Sequence, residues 1–358
     1  MSTQPGSIRG VRKYRGLQIL RLTAACMVLL THSTFYASER LDPAFPVWGK
    51  GATGVEIFFV LSGFVMVYSS TGLVDLAGGW KAFAERRIVR IVPIYWIATS
   101  LKILAILVTT GLVLHTHLLF RQALESYLFI PARGFAGDIT PIVGVGWTLN
   151  FEMFFYLLFT LALLFRVNIY KFVGAILIPL ALGAFLRRAD WPPIAFYLDT
   201  RVLLFFYGMI VARLCLSGKH LPRIPAILLL CLSAVGLVGP WQSPRGFHAL
   251  PEGISALFLV YSIASLEDLL PRIPSIILFG ADASYAIYLF HPFIAPAVPV
   301  ALFRLHLLHP WLSVACSVIL ALAGGGLIHL YIEAPLNAWL RNRLHCPGTK
   351  VVHAAAAA

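Results

Sequence analysis

His32 is the residue in this chain best suited to move a proton. It stands in an apolar run eleven positions after Arg21, in RLTAACMVLLTH. At 100° per residue, eleven residues make three turns plus about 20°, so the two side chains share one helix face about 16 Å apart. A neutral imidazole takes a proton from an attacking hydroxyl, because its pKa lies near working pH. The bland alternative is a histidine that hydrogen-bonds across helices and only holds them together. The arginine in register with it favours chemistry: a base inside a membrane, with a guanidinium nearer its entrance.

Five further groups carry chemistry-bearing side chains. In ERRIVRIVPIYW (85–96), Arg87 and Arg90 lie three apart on one helix face, with Arg86 beside them. Guanidiniums there suit the phosphates of a nucleotide-bearing donor such as an acyl-coenzyme A; the alternative is a topology marker in contact with lipid headgroups. In GVGWTLNFEMFFYLLF (144–159), Glu152 sits deep in an apolar helix among Trp147, Phe151, Phe155 and Tyr156. A carboxylate there needs an Arg or His partner. It would orient the histidine, steady its protonated form or bind a sugar hydroxyl, unless it is a structural ion pair. Glu56 in GVEIFFVLSGFVM poses the same question, while Ser62 and Gly63 beside it read as close helix packing rather than a nucleophile. In SYAIYLFHPF (284–293), His291 precedes Pro292, so a helix break at a cavity wall is expected, with freed carbonyls that neighbours must satisfy. His329 and Glu333, four apart, are expected to pair with each other or with a neighbouring helix.

The elements that position these residues follow from composition. Hydrophobic residues make up 59% of the chain and charged residues 12%, and the mean hydropathy is +0.84. That balance excludes a soluble globular domain and indicates an all-α polytopic membrane helix bundle. Spans are expected near 17–36, 52–70, 88–111, 144–165, 170–186, 194–216, 222–240, 249–266, 283–304 and 310–333, each close to the ~20 residues of a crossing helix. About ten transmembrane helices result, and the strand alternation of a membrane barrel is missing from these runs. The organisation is a segment 1–16, a membrane domain 17–333 and a tail 334–358 that ends in five alanines. The stretch 112–143, with His115, His117, Arg121, Glu125 and Asp138, is expected outside, over the mouth of a cavity.

The net charge of +13 marks topology rather than nucleic-acid binding, for which basic, aromatic-interleaved patches in a soluble domain would be needed. With the N-terminus inside, eighteen of the 28 Lys and Arg fall on the cytoplasmic side, nine outside, and Lys102 within a span. Both termini are therefore expected in the cytoplasm. The first helix has no small-residue cleavage site and reads as retained. Five cysteines, an odd number without CxxC, speak against a disulfide framework or a zinc site.

Taken in order, LRLTAACMVLLTHS, GVEIFFVLSGFVM, RRIVRIVPIYW, GWTLNFEMFFY and SYAIYLFHPF resemble the acyltransferase-3 family of integral membrane O-acyltransferases, over about residues 17 to 333. GWTLNFEMFFY most resembles the members tied to bacterial exopolysaccharide production. The resemblance implies ten helices in a bacterial inner membrane. It also implies an acyl group, usually acetyl, taken from cytoplasmic acyl-coenzyme A to a sugar hydroxyl of a cell-surface or lipid-linked glycan. It puts the essential histidine at His32, its partner at Arg21, the acidic position at Glu152 and the donor-phosphate site at Arg87 and Arg90, with Arg86 beside them. Glu56, Trp147 and His291 are then expected to contact the acceptor. No permanently bound cofactor and no metal are expected; acyl-coenzyme A (acetyl-CoA in the first instance) is a donor substrate, and the partners are the glycan, membrane lipids and polysaccharide-assembly proteins. No SGNH-type hydrolase domain follows, so transfer is expected to finish in the membrane part or on a separate partner. His32 would act as general base, or form an acyl-histidine; Arg21 would bind donor phosphate or the thioester oxyanion. The rivals are a glycan or lipid-linked sugar transporter, disfavoured by the missing internal repeat, and a lipid-linked glycosyltransferase. The latter would show acidic metal-binding pairs, and the only adjacent acidic pair is Glu267–Asp268.

Overall fold

The computed structural model describes residues 13–108, 119–134, 137–188, 190–239 and 251–344. His115, His117 and the alanine tail lie outside them. Apart from one isolated bridge between Arg133 and Ile139, the regular structure of the described residues is helical. Over their described residues the apolar runs are mostly helical. Seven stretches are long and apolar enough to cross a membrane, and three are shorter: Ile169–Gly183, Arg223–Val238 and Pro251–Ser265.

Helix α1 (Arg15–Arg40) carries Arg21 and His32 on 26 uninterrupted residues. Its N-terminus is capped from elsewhere: the Glu267 carboxylate accepts from the backbone N–H of Arg15 at 2.7 Å and of Gly16 at 2.9 Å. An anion there meets unpaired helical donors and the positive end of the helix dipole. Helix α2 (Gly54–Ser70) runs through the middle of the bundle, with most of its side chains buried.

Most of the later helices enclose this pair. In chain order they are α3 (Gly79–Val108), the short α4 (Phe120–Tyr127), α5 (Trp147–Leu164), α6 (Ile169–Gly183), α7 (Val202–Leu216), α8 (Arg223–Val238) and α9 (Pro251–Ser265). Then follow α10 (Ser275–Asp282), α11 (Ser284–Ile294), α12 (Ala297–Arg304), α13 (Pro310–Ile328) and, beyond a π-helical turn at His329–Glu333, α14 (Ala334–Arg343). Lipid-facing positions such as Leu107, Ile224, Leu228, Leu232 and Ile319 are exposed and apolar, as an outer surface in hydrocarbon requires.

Two glycines set the tightest helix contact. A Cβ on Gly63 of α2 would lie 2.0 Å from the Phe205 carbonyl oxygen, and one on Gly208 of α7 would lie 1.9 Å from that of Val60. Helix association in lipid rests on such close backbone approach, because burying apolar surface against lipid gains little. Stacked pairs Phe59–Phe205 and Phe155–Phe205, each 4.7 Å between centroids, extend the contact to α5.

Two expectations are corrected here. Helix α3 begins at Gly79 rather than near residue 88, so Arg86 and Arg87 are helical residues ahead of the expected span. Charge lowers the local hydropathy but not helix propensity, which is high for Arg, Lys and Glu. The chain also does not break at His291–Pro292: α11 runs on to Ile294, and the interruption falls at 295–296, before α12. Gly208→Val should abolish the monodisperse peak of the purified protein in detergent. Gly72→Ala, where an added Cβ meets nothing within 4 Å, should leave it intact.

Candidate active site

A proline inside α11 starts the construction of the site. Pro292 has no N–H, so the carbonyl four residues back, on Tyr288, loses its helical partner. The side chain of His291 takes it up: Nδ1 lies 2.7 Å from the Tyr288 oxygen. A carbonyl only accepts, so His291 carries its proton on Nδ1, and its Nε2 has only a lone pair to offer. That Nε2 lies 2.6 Å from Nδ1 of His32 on α1, with the ring centroids 4.9 Å apart and the ring planes within 18° of each other. His32 must therefore donate from Nδ1, which leaves its own Nε2 unprotonated. No described residue hydrogen-bonds that nitrogen.

His32 lines a cavity of about 1060 Å³ around the C-terminal half of α1. Trp147 lines it too, together with Tyr36, Lys102 and Asp138. Residues Gln122, Gly134 and Thr140 also belong to its wall, so the described part of the 112–143 stretch does border the cavity. That wall is pinned by Trp96, whose indole N–H donates to the Tyr127 carbonyl at 2.8 Å, and by Gln122, which donates to the Thr140 carbonyl at 2.8 Å.

A second, smaller cavity of about 100 Å³ lies toward the N-terminal end of α1. Three guanidiniums converge on it, from Arg21, Arg87 and Arg90, together with Glu152. Arg87 donates to Ser69 Oγ at 2.6 Å and stacks near Phe83 and Tyr156, while its buried Nε has no partner among the described residues. Glu152 Oε1 accepts from Ser62 Oγ at 2.9 Å and from the Tyr156 hydroxyl one helical turn on. Arg21 lies in the field of Arg90 and of the carboxylates of Glu333, Glu152 and Asp282. The His329–Glu333 pair forms at 2.7 Å on the π-helical turn.

The residues singled out from the sequence thus fall into four places. Arg21, Arg87, Arg90 and Glu152 meet in the small arginine chamber; His32 and Trp147 meet in the large one. His291 is fully buried behind His32, so it is a partner of that imidazole and lines neither chamber. Arg86 and Glu56 line neither chamber. Glu56 faces α7, where Arg201 approaches at 3.3 Å; Arg201 also pairs with Asp199 and lies over the Trp147 ring at 5.3 Å.

Separation of the chambers removes two roles considered above. Glu152 does not orient His32, which has His291 for that purpose. Arg21 stands some 16 Å of helical rise from His32, too far to stabilise an oxyanion formed beside that base, where donors must come within about 3 Å. Sequence reading missed Tyr285 and Tyr288, which line the arginine chamber with them. Their signal was present: positions 285, 288 and 291 recur every three residues, hence on one helix face. Nitrogen NMR of histidine-labelled protein should show His32 protonated at Nδ1, changing to a tautomer mixture in His291→Ala; an Nε2-protonated His32 in the wild type would sink the assignment.

Comparison with known proteins bears on this site directly. The acyltransferase domain family matches residues 14–330, a range that contains both chambers. The exopolysaccharide production protein ExoZ of Rhizobium meliloti (strain 1021) is 34% identical over 75% of this chain and 83% of its own length. Nodulation protein 10 of Rhizobium leguminosarum bv. viciae is 28% identical over 76% of this chain and 80% of its own. The O-acetyltransferase OatA of Staphylococcus aureus (strain NCTC 8325 / PS 47) is 24% identical over 67% of this chain but only 45% of its own length. No solved structure matches. With a family match across nearly all of a helical, membrane-spanning chain, this protein belongs to the acyltransferase-3 family and is a multi-pass membrane acyltransferase.

Proposed function

We propose that the protein moves an acyl group, acetyl in the first instance, from acyl-coenzyme A to a hydroxyl of a cell-surface or lipid-linked polysaccharide. The observation that carries this reading is the arrangement of an arginine-lined chamber back to back with a larger one that holds an unprotonated histidine nitrogen. The names of ExoZ and OatA support the polysaccharide acceptor and the acetyl group.

Guanidiniums offer paired donors to phosphate oxygens, so Arg87, Arg90 and Arg21 suit the donor end. Their cavity is smaller than the ~300–1,000 Å³ of pockets that hold whole small ligands. It takes the phosphate end that the guanidiniums meet; the nucleoside would sit beyond it, and the pantetheine arm would lead on toward His32. The positive-inside distribution supports this end facing the cytoplasm, with both termini there, in the inner membrane of a bacterium. Glu152 offsets part of the charge of three neighbouring arginines while the chamber is empty.

In the larger chamber the acceptor hydroxyl meets Nε2 of His32. The nitrogen takes its proton as the oxygen attacks the thioester carbonyl carbon. The new C–O bond forms, the C–S bond breaks, and the thiolate leaves as the free thiol with the proton from His32. His291 Nε2 accepts from His32 throughout, so the imidazolium formed on the way is held in place.

The first test follows radiolabelled acetyl from acetyl-coenzyme A into a crude extract of lipid-linked or surface polysaccharide from the source, with the purified protein in liposomes. Wild type should label glycan, and His32→Ala should lower the rate about 10²–10⁴-fold. Equal transfer by both would remove His32 as the base, and unmodified glycan carried across the vesicle wall would favour the transporter. Arg90→Ala should raise the KM for the donor about ten- to a hundredfold, the worth of a charge-assisted hydrogen bond. An unchanged KM would take Arg90 out of the donor site.

A further inference from the structure

Two side chains, Val55 and Tyr288, line both chambers. Val55 is a short wall residue of α2; Tyr288 is the larger of the two and is held at both ends. Its hydroxyl lies 3.1 Å from Thr148 Oγ1 and 3.3 Å from the Val145 carbonyl, which also accepts from Thr148 at 3.0 Å. Its ring meets Phe58 edge-on at 5.5 Å. Its own carbonyl is the one taken by His291. The ring therefore spans from the histidine pair to the start of α5, with the arginine chamber on one side and the base on the other.

We propose that Tyr288 is the partition between donor and acceptor chambers, that the acyl group passes it to reach His32, and that its ring sets the largest acyl group transferred. This rests on the reading of the protein as an acyl-coenzyme A-dependent acyltransferase. A thioester whose phosphates are held by Arg87 and Arg90 must cross the line of Val55 and Tyr288 to bring its carbonyl to the histidine. The hydroxyl of Tyr288 is held by uncharged partners alone, so the ring gives way to a slim acyl end by breaking two neutral hydrogen bonds and no ion pair. In its closed position it also keeps water in the large chamber from the thioester. Without it, water would attack the carbonyl carbon, the C–S bond would break, and the carboxylic acid and free thiol would be released.

The test compares wild type and Tyr288→Ala in detergent, with acetyl- and butyryl-coenzyme A as donors and the same glycan extract as acceptor. Free thiol release without acceptor is measured in parallel. The ratio of kcat/KM for butyryl over acetyl should rise about tenfold or more in the variant, in keeping with what each methylene is worth at a tight wall. Acceptor-independent thiol release should rise with it. A folded variant in which both donors slow equally and hydrolysis stays at the wild-type level would overturn the proposal, because a merely structural ring lowers both rates together. If Tyr288→Ala fails to give a monodisperse protein, Phe58→Ala loosens the same ring from α2 and is read by the same two quantities. A wild type that transfers no acyl group from any coenzyme A thioester would overturn the acyltransferase mechanism itself. A wild type that transfers acetyl while the variants keep its donor ratio overturns the partition alone.

Discussion

A proline within a membrane helix leaves one carbonyl without its amide, and a buried carbonyl needs another donor. In α11 that carbonyl belongs to Tyr288, and the donor that meets it is the imidazole one position before the proline. Everything distinctive about the histidine pair follows. The direction of one hydrogen bond is fixed because a carbonyl cannot donate, and it passes through two rings to determine which nitrogen of His32 is free. In a serine protease the carboxylate of the triad orients its histidine; here a backbone defect in a helix does so with no buried anion. The His32 imidazole is thereby held as a neutral tautomer, which suits its position among apolar helices.

Positive charge is handled differently. Three arginines around one small cavity would repel each other strongly in a low-dielectric setting. The chain answers with carboxylates from distant elements: Glu152 on α5, Asp282 at the end of α10 and Glu333 on the π-helical turn before α14. Glu152 is itself held by two hydroxyl donors, so it stays in place as a counter-charge and does not close fully onto any one guanidinium.

How much of this was legible in the sequence depends on the range of the interaction. The helical register of Arg21 and His32, the shared face of Arg87 and Arg90, and the His329–Glu333 pair all follow from the helical repeat, and the bundle follows from hydropathy. The freed carbonyl at Tyr288 was also legible, because Pro292 fixes its position in the chain. Which donor would meet it was not, since several side chains come near in three dimensions. Nor could spacing reveal that Arg21 and His32 serve different chambers: the division between them is made by Val55 on α2 and Tyr288 on α11. Glu56 shows the same limit. Its carboxylate was visible as a group in need of a partner, but Arg201 stands at the N-cap of α7, 145 positions away. The start of α3 was misjudged because hydropathy marks the lipid boundary, whereas the helix extends past it.

The cap on α1 has a consequence of its own. Glu267 grips the first two amides of the helix, and from that point every residue of α1 sits at a fixed height, 1.5 Å per position. Arg21 and His32 are thus held at their depths by a carboxylate that belongs to neither chamber. A slip by one turn would move the imidazole about 5.4 Å, away from the single nitrogen that can accept its proton. The vertical alignment of the arginine chamber with the histidine pair is therefore set at the first turn of α1, by an anchor that grips backbone amides.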